Sequence, residues 1–133
     1  MLGYLVHYRG YPVDFAENAD GTISMGAGGA DIWGTSDEFR FAYKQLSGDG
    51  SITVRVDSVV RSDGWAKAGV MIRQNTNATA MNAGIFVTPD NGISFQDRPT
   101  AGADSVNTAV AGLVAPHWVK LIRTGNVFTA QYS

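Results

Sequence analysis

Apolar and polar side chains alternate along much of the chain, with the two-residue period of half-buried β-strands. Phe39, Phe41 and Tyr43 share one face of a predicted strand, and Arg40 lies on the other face. A second alternating run follows directly, after a glycine-rich turn at residues 47–50. These two runs predict an antiparallel strand pair.

Further strands are predicted along the rest of the chain, separated by turns. They cover residues 65–73, 81–88, 93–98, 105–110, 116–123 and 127–132. The nearly continuous apolar stretch from Gly69 to Ile72 predicts a central strand that is covered on both faces. Strands at short, regular spacing without a helical pattern predict an all-β protein, either a sandwich or a barrel.

The residues at both ends of the sequence affect how the edges of such a sheet would be covered. The sequence stops directly after the last predicted strand, which would leave an open edge or an uncovered strip of core. Near the other end Leu2, Tyr4, Val6 and Tyr8 alternate, so this segment could supply the cover. Because no linker or charge run interrupts the chain, residues 1–133 are predicted to form a single domain.

The amino-acid composition and net charge exclude several classes of function. The chain has 16 glycines and no cysteine, which excludes disulfide scaffolds, zinc–thiolate sites and thiol catalysis. A net charge of −2 gives no reason to expect a nucleic-acid or membrane partner. The N-terminal apolar run ends by His7, too soon for a signal peptide, and the sequence leaves the compartment open.

An enzyme is not predicted. Glycoside hydrolysis uses two positioned carboxylates, and the two glutamates, Glu17 and Glu38, form no recognisable pair. His7 and His117 are the only histidines, and His117 at a strand start is more simply a solvated side chain. No residue is therefore assigned a catalytic role.

A metal or other cofactor is not predicted either. The histidines and carboxylates match neither a zinc pattern nor an EF-hand pattern. Asp31, Asp49, Asp63 and Asp90 lie in predicted turns, where aspartates usually bond the local backbone. Their presence leaves calcium open as an alternative.

Two blocks of sequence carry a resemblance to a known family. They are residues 28–35, Gly-Gly-Ala-Asp-Ile-Trp-Gly-Thr, and residues 65–73, Trp-Ala-Lys-Ala-Gly-Val-Met-Ile-Arg. Together with the strands at 39–43 and 117–123, they resemble the concanavalin A-like (laminin-G-like) jelly-roll modules of large secreted bacterial proteins, many of them glycoside-active. The resemblance spans about residues 22–132. It implies a two-sheet antiparallel jelly-roll sandwich, often suspected of binding carbohydrate and without a generally assigned catalytic activity.

The chain also departs from that family. Residues 1–17 do not match the usual opening, and the closing hairpin of the family is absent after residues 127–132. Asp97 stands where the family commonly has an aromatic residue. These departures suggest a stand-alone domain fragment whose open edge is covered by another copy.

Candidate ligand-binding residues follow from the polar faces of three strands. Sugar sites on β folds combine an aromatic surface with planar hydrogen-bonding groups. If the strands lie side by side, their polar groups form a stripe on one sheet, flanked by tryptophans. The candidates are Arg40, Arg73, Gln96, Arg98, Trp33 and Trp65. In the simpler alternative, the arginines are solvated or paired with aspartates and the tryptophans pack against the core.

Two hypotheses of function therefore stand. The first is a non-catalytic carbohydrate-binding-like module of unknown specificity. The alternative is a structural or protein-interaction domain that self-associates through its open sheet edge. Both allow a homo-oligomer, including a strand-swapped one.

Overall fold

A computed structural model describes residues 1–7 and 14–133 of the chain, and the predicted alternation at Tyr8 lies outside them. All regular structure in this described part is β, which confirms the all-β prediction. The strands are β1 (Leu2–His7), β2 (Asp14–Glu17), β3 (Ile23–Gly26), β4 (Ile32–Trp33), β5 (Ser36–Asp37), β6 (Arg40–Lys44), β7 (Gly50–Val56), β8 (Lys67–Arg73), β9 (Asn82–Val87), β10 (Ile93–Arg98), β11 (Val106–Val110), β12 (His117–Thr124) and β13 (Val127–Tyr132).

The larger sheet has six strands in the order β11-β10-β9-β8-β1-β6, and every neighbouring pair is antiparallel. Its central strand β8 is buried along its whole length, so the predicted two-sided cover is confirmed. Strands β9, β10 and β11 are joined by the turns that the sequence indicated. The predicted antiparallel pair on either side of the turn at residues 47–50 is wrong, because β6 pairs with β1 in this sheet while β7 pairs with β12 in a second sheet, so this turn links two sheets. Two small hairpins, β2–β3 and β4–β5, complete the first half of the chain.

The N-terminal strand lies inside the large sheet. Leu2 of β1 pairs with Lys44 of β6 on one side and with Ile72 of β8 on the other. Leu2 and Leu5 are both buried, because other parts of the protein cover both faces of the large sheet at β1. The segment that the sequence suggested as a cover is therefore an interior strand, and it alone joins β6 to β8 among the described strands.

The smaller sheet has three strands in the order β13-β12-β7 and packs on the large sheet. The side of the large sheet that faces it is called the inner face. The core between the sheets is apolar, with Val70, Ile85, Val119 and Leu121 each at most 2% exposed. Removal of these side chains from water supplies the main favourable term that holds the two sheets together.

The opposite side of the large sheet, called the outer face, has a second apolar cluster. Ile32 from the β4–β5 hairpin packs there with Leu5, Met71 and Phe86, all nearly fully buried. The hairpin therefore covers part of the outer face. This cover explains why β8 and β9 are buried on both sides although the smaller sheet lies on one side only.

The smaller sheet ends at β13 and leaves part of the inner face bare. β7 and β12 pack over β8, and β12 and β13 pack over β9. On β10 Ile93 is still buried in the core and Phe95 is half-buried against it, so the exposed part of the inner face is at β11. On β11 the inner-face residues Val106 and Val110 are 55% and 40% exposed.

Candidate functional site on the outer face of the large sheet

Three of the predicted site residues share the outer face. Arg73 on β8 pairs in register with Asn82 on β9, which pairs with Arg98 on β10. Gln96 lies two residues before Arg98 and therefore on the same face. The polar groups of β8 and β10 therefore share one face, but the two strands are not side by side as the suggested stripe required, because β9 lies between them.

The guanidinium groups of Arg73 and Arg98 converge on one carboxylate, Asp37 of β5. Arg98 donates from Nη1 to Oδ2 and from Nη2 to Oδ1, each at 2.7 Å, and Arg73 Nη1 donates to Oδ2 at 2.6 Å. The side chains of Asp37 and Arg98 are 0% exposed, and that of Arg73 is 2% exposed. These three residues are called the buried cluster.

Backbone carbonyls take up the remaining donors of the buried cluster. Arg98 donates to the carbonyl oxygens of Gly34, Ala80 and Ala103 at 3.0–3.1 Å. Arg73 Nη2 donates to the carbonyl of Asn77 at 2.7 Å. Because these donors are satisfied inside the protein, the cluster holds the β4–β5 hairpin and the 74–80 loop against the sheet.

The buried position of the two arginines differs from the solvent-open polar stripe that the sequence suggested. Their net charge of +2 is balanced by one carboxylate and by carbonyl dipoles. The sequence allows arginines to pair with aspartates in general. Nothing in it indicates Asp37 as the partner, because no pattern brings residue 37 next to residues 73 and 98.

Arg40 lies away from the other three. It pairs with Val6 of β1, which pairs with Ala68, an inner-face residue. Its guanidinium carbon lies 5.8 Å from the centre of the Phe15 ring, on the β2–β3 side. The suggested stripe therefore does not include Arg40, since β1 separates β6 from β8 and residue 40 faces the opposite way.

Gln96 is also buried, at 3% exposed. Its Oε1 atom has no hydrogen-bond partner among the described residues. Nearby on the same face, Ser94 donates to Oδ1 of Asn107 at 2.6 Å across the β10–β11 pair. Because Gln96 is covered, its amide is not presented to a ligand in solution.

The two candidate tryptophans are partly exposed, at 44% for Trp33 and 37% for Trp65. Trp33 lies on β4 at the edge of the hairpin. The Trp65 ring centre is 5.5 Å from Nζ of Lys67, a buried ammonium that donates to Asp31 at 2.6 Å. Trp65 thus lies in the turn just before β8, beside a lysine–aspartate pair.

An aromatic strip runs along the outer face of β6, the edge strand of the large sheet within the described residues. Phe39 and Phe41 have ring centres 5.7 Å apart, and Phe41 and Tyr43 are stacked at 5.2 Å with 26° between the ring planes. Tyr43 is 46% exposed, and the guanidinium carbon of Arg73 lies 5.2 Å from the Phe39 ring centre. The shared face of these three residues was predicted, but not that it is the outer face.

The turn aspartates named for calcium are engaged with donors of the protein. Asp31 accepts from Lys67, and Asp90 accepts two hydrogen bonds from Arg61. The Arg61 hydrogen bonds hold the pKa of Asp90 below its usual range. The turn residues Asp49 and Asp63 accept from the backbone N–H groups of residues 125 and 65. Across residues 1–7 and 14–133 no group of three or more histidines and carboxylates is placed to hold a metal ion.

The two glutamates considered for catalysis have different surroundings. Glu38 accepts a hydrogen bond from the backbone N–H of Ala30 at 3.1 Å, while Glu17 ends β2. His117 lies 3.2 Å through Nδ1 from the carbonyl oxygen of Ser133. These contacts are local ones, which gives no geometric reason to combine the groups into a reaction centre.

No family model, no curated protein and no solved structure matches this chain. The described part of the chain also contains no helix that is long and apolar enough to cross a membrane.

Proposed function

We propose that this protein is a non-catalytic, carbohydrate-binding-like module of the concanavalin A-like jelly-roll type, and that the sugar stacks on the aromatic strip of Phe39, Phe41 and Tyr43. The observation that carries the proposal is the row of three aromatic side chains on the outer face of an edge strand, in which Tyr43 is 46% exposed. Aromatic rings cover the apolar C–H face of a pyranose while leaving its hydroxyls to other groups.

The position of the strip suits an extended ligand. Residues 39, 41 and 43 recur every second position, so their side chains follow one line along the strand. An edge strand also offers unpaired backbone N–H and C=O groups, which can bond sugar hydroxyls. A polysaccharide lying along β6 would meet both kinds of group.

The arginines take a positioning role in this proposal. Arg73 lies against the Phe39 ring and is fixed by Asp37, so the buried cluster sets one end of the strip. Arg98 and Gln96 are covered and do not touch the ligand. The two-sheet arrangement and the antiparallel pairing support the jelly-roll assignment, which otherwise rests on the sequence resemblance.

Replacement of Tyr43 by alanine is expected to weaken polysaccharide binding about three- to tenfold, because one stacking ring contributes on the order of 1 kcal/mol. Affinity gel electrophoresis with soluble β-glucan, xylan, mannan and galactan measures the change. Tyr43 is exposed and outside the core clusters, so the variant is expected to fold normally.

Trp118→Ala provides the matched control. Trp118 is 50% exposed and lies on β12 of the smaller sheet, away from the strip. Unchanged binding by this variant, together with weaker binding by Tyr43→Ala, supports the proposal. Absence of binding to every polysaccharide, or equal losses in the two variants, contradicts it.

A further inference from the structure

A cleft of about 800 Å³ opens between the two sheets, at the end of the sandwich where β8, β10 and β12 end. It is called the inter-sheet cleft. Arg123 and Phe128 line it from the smaller sheet, and Phe95 and Asp97 line it from the large sheet. Its volume lies within the range of roughly 300–1,000 Å³ that is usual for small-molecule sites. None of these four residues belongs to the aromatic strip or to the buried cluster.

The cleft wall on the smaller sheet follows from the register of β12 and β13. Val119 and Leu121 of β12 are buried in the core, so Arg123, two residues further on, also faces the large sheet. Phe128 pairs with Arg123 across the two strands and shares that face. Both side chains are half-buried.

The cleft wall on the large sheet follows in the same way. Asp97 pairs with Ala83 of β9, which pairs with the core residue Ile72 of β8. Antiparallel partners share a face, so Asp97 lies on the inner face, and so does Phe95, two residues before it. Both are half-buried, and each wall therefore has one charged and one aromatic side chain.

Positive charge exceeds negative charge in the lining of the cleft. Among the described residues, the lining contains one carboxylate, that of Asp97, and four cationic groups. The cationic groups are the guanidiniums of Arg73, Arg98 and Arg123 and the N-terminal ammonium of Met1. The guanidiniums of Arg73 and Arg98 are held by Asp37 on the outer face, so Arg123 is the guanidinium that an anion in the cleft can reach.

Arg123 and Asp97 both keep hydrogen-bonding capacity for a ligand. In the described part of the chain, Arg123 makes one hydrogen bond, from Nε to the carbonyl oxygen of Gly125 at 3.0 Å, and its Nη atoms have no hydrogen-bond partner. Within the same residues, the carboxylate of Asp97 accepts no hydrogen bond and forms no ion pair. Two opposite charges thus face one cleft without pairing with each other.

We propose that the inter-sheet cleft binds a small hydroxylated carboxylic acid. The two Nη atoms of Arg123 bind its carboxylate through two parallel hydrogen bonds. An ionised Asp97 only accepts hydrogen bonds, so it selects a hydroxyl of the ligand. The rings of Phe95 and Phe128 cover the carbon skeleton. Sugar acids and aromatic hydroxy acids share this chemistry, and the excess of positive charge favours them over neutral analogues.

Isothermal titration calorimetry with glucuronate and with 3-phenyllactate tests the proposal and separates the two kinds of acid. At least one of them is expected to bind with a dissociation constant below about 1 mM. Arg123→Gln is expected to weaken that binding by at least about tenfold, because the hydrogen bonds to a charged group are lost. The variant is expected to fold normally, since the Arg123 side chain contacts only one carbonyl oxygen by hydrogen bonding in the described part of the chain.

Arg55→Gln is the matched control. Arg55 lies on β7 of the same sheet and pairs with Asp57 outside the cleft. Its replacement removes the same charge and should leave the affinity unchanged. Absence of binding by both acids, or equal affinity in Arg123→Gln and the unmodified protein, overturns the proposal.

The role of Asp97 is tested by a preference between ligands. Each acid is compared with an analogue that lacks its hydroxyls, cyclohexanecarboxylate for glucuronate and 3-phenylpropionate for 3-phenyllactate. The unmodified protein should prefer the hydroxylated acid, and Asp97→Ala should lose that preference because the acceptor is removed. A preference of equal size in both proteins contradicts the proposal.

Amide NMR signals locate the bound acid. Signals of residues 93–98 and 121–128 are expected to shift on binding, while those of residues 39–43 stay in place. The reverse pattern overturns the cleft site and assigns the acid to the aromatic strip. Because the cleft opens on the inner face and the aromatic strip lies on the outer face, failure of either proposal leaves the other testable.

Discussion

Replacement of Asp37 by asparagine is expected to lower the free energy of unfolding by about 3–5 kcal/mol, the usual cost of removing one partner from a buried ion pair. Among the described residues, Asp37 is the one carboxylate that pairs with the fully buried guanidinium of Arg98 and with Arg73. Asparagine keeps the shape of the side chain but removes its charge, so two cations would remain in a dry site. Since small domains are stable by about 5–15 kcal/mol, much of the folding free energy would be lost.

Urea denaturation followed by tryptophan fluorescence measures this loss. The matched control is Asp90→Asn. Asp90 also accepts two hydrogen bonds from one arginine, Arg61, but the two side chains are 40% and 68% exposed. Exposed pairs contribute about 0–1 kcal/mol, so the control should change stability little. Similar losses of unfolding free energy in both variants would show that the buried cluster does not stabilise the protein through its burial.

Replacement of Gly92 by alanine is the second large effect, and a loss of about 2–5 kcal/mol is expected. Gly92 has a φ of +73°, which an alanine adopts only with strain. A Cβ atom there would also overlap the carbonyl oxygen of Val110, at the end of β11. Backbone would have to move, because neither the turn nor the strand end offers a flexible side chain that could yield.

Gly48→Ala separates the two causes. Gly48 has nearly the same backbone conformation, with a φ of +76°, but no atom lies within 4 Å of the Cβ that alanine would add. This variant should therefore show the strain alone, about 1–2 kcal/mol. Thermal unfolding of both variants measures the difference. If Gly92→Ala is no less stable than Gly48→Ala, the contact with Val110 is not a packing constraint.

Much of the strand content could be predicted, because a two-residue alternation is a local property. The runs that became β9–β13 pair mainly with neighbours in sequence, whereas β6 pairs with the distant β1 and β7 with the distant β12, so the predicted pairing of these two runs was wrong. The alternation of β1 was equally visible, but its partners were not. The alternation shows which side chains share a face of the strand, but it does not show which distant strands will pair with the two edges of that strand.

The candidate site was harder to predict for the same reason. Phe39, Phe41 and Tyr43 were placed on one face, but the sequence could not say which side of the sheet that face occupies. The β4–β5 hairpin decides it, since Ile32 supplies an apolar cover for the outer face. The full burial of Arg73 and Arg98 likewise depends on Asp37, which only the folded hairpin brings beside them.

The interior position of β1 has a consequence for how the chain reaches its folded state. The six strands β2–β7 lie between β1 and its partner β8 in the sequence, so this pairing must close a long loop. During synthesis β1 emerges before β6 and β8, and the edge of β1 that pairs with β8 stays bare until β8 emerges. Folding of the large sheet is therefore expected to be slow compared with hairpin formation, and the sequence Leu-Gly-Tyr-Leu-Val-His is the segment most open to wrong pairing during that delay.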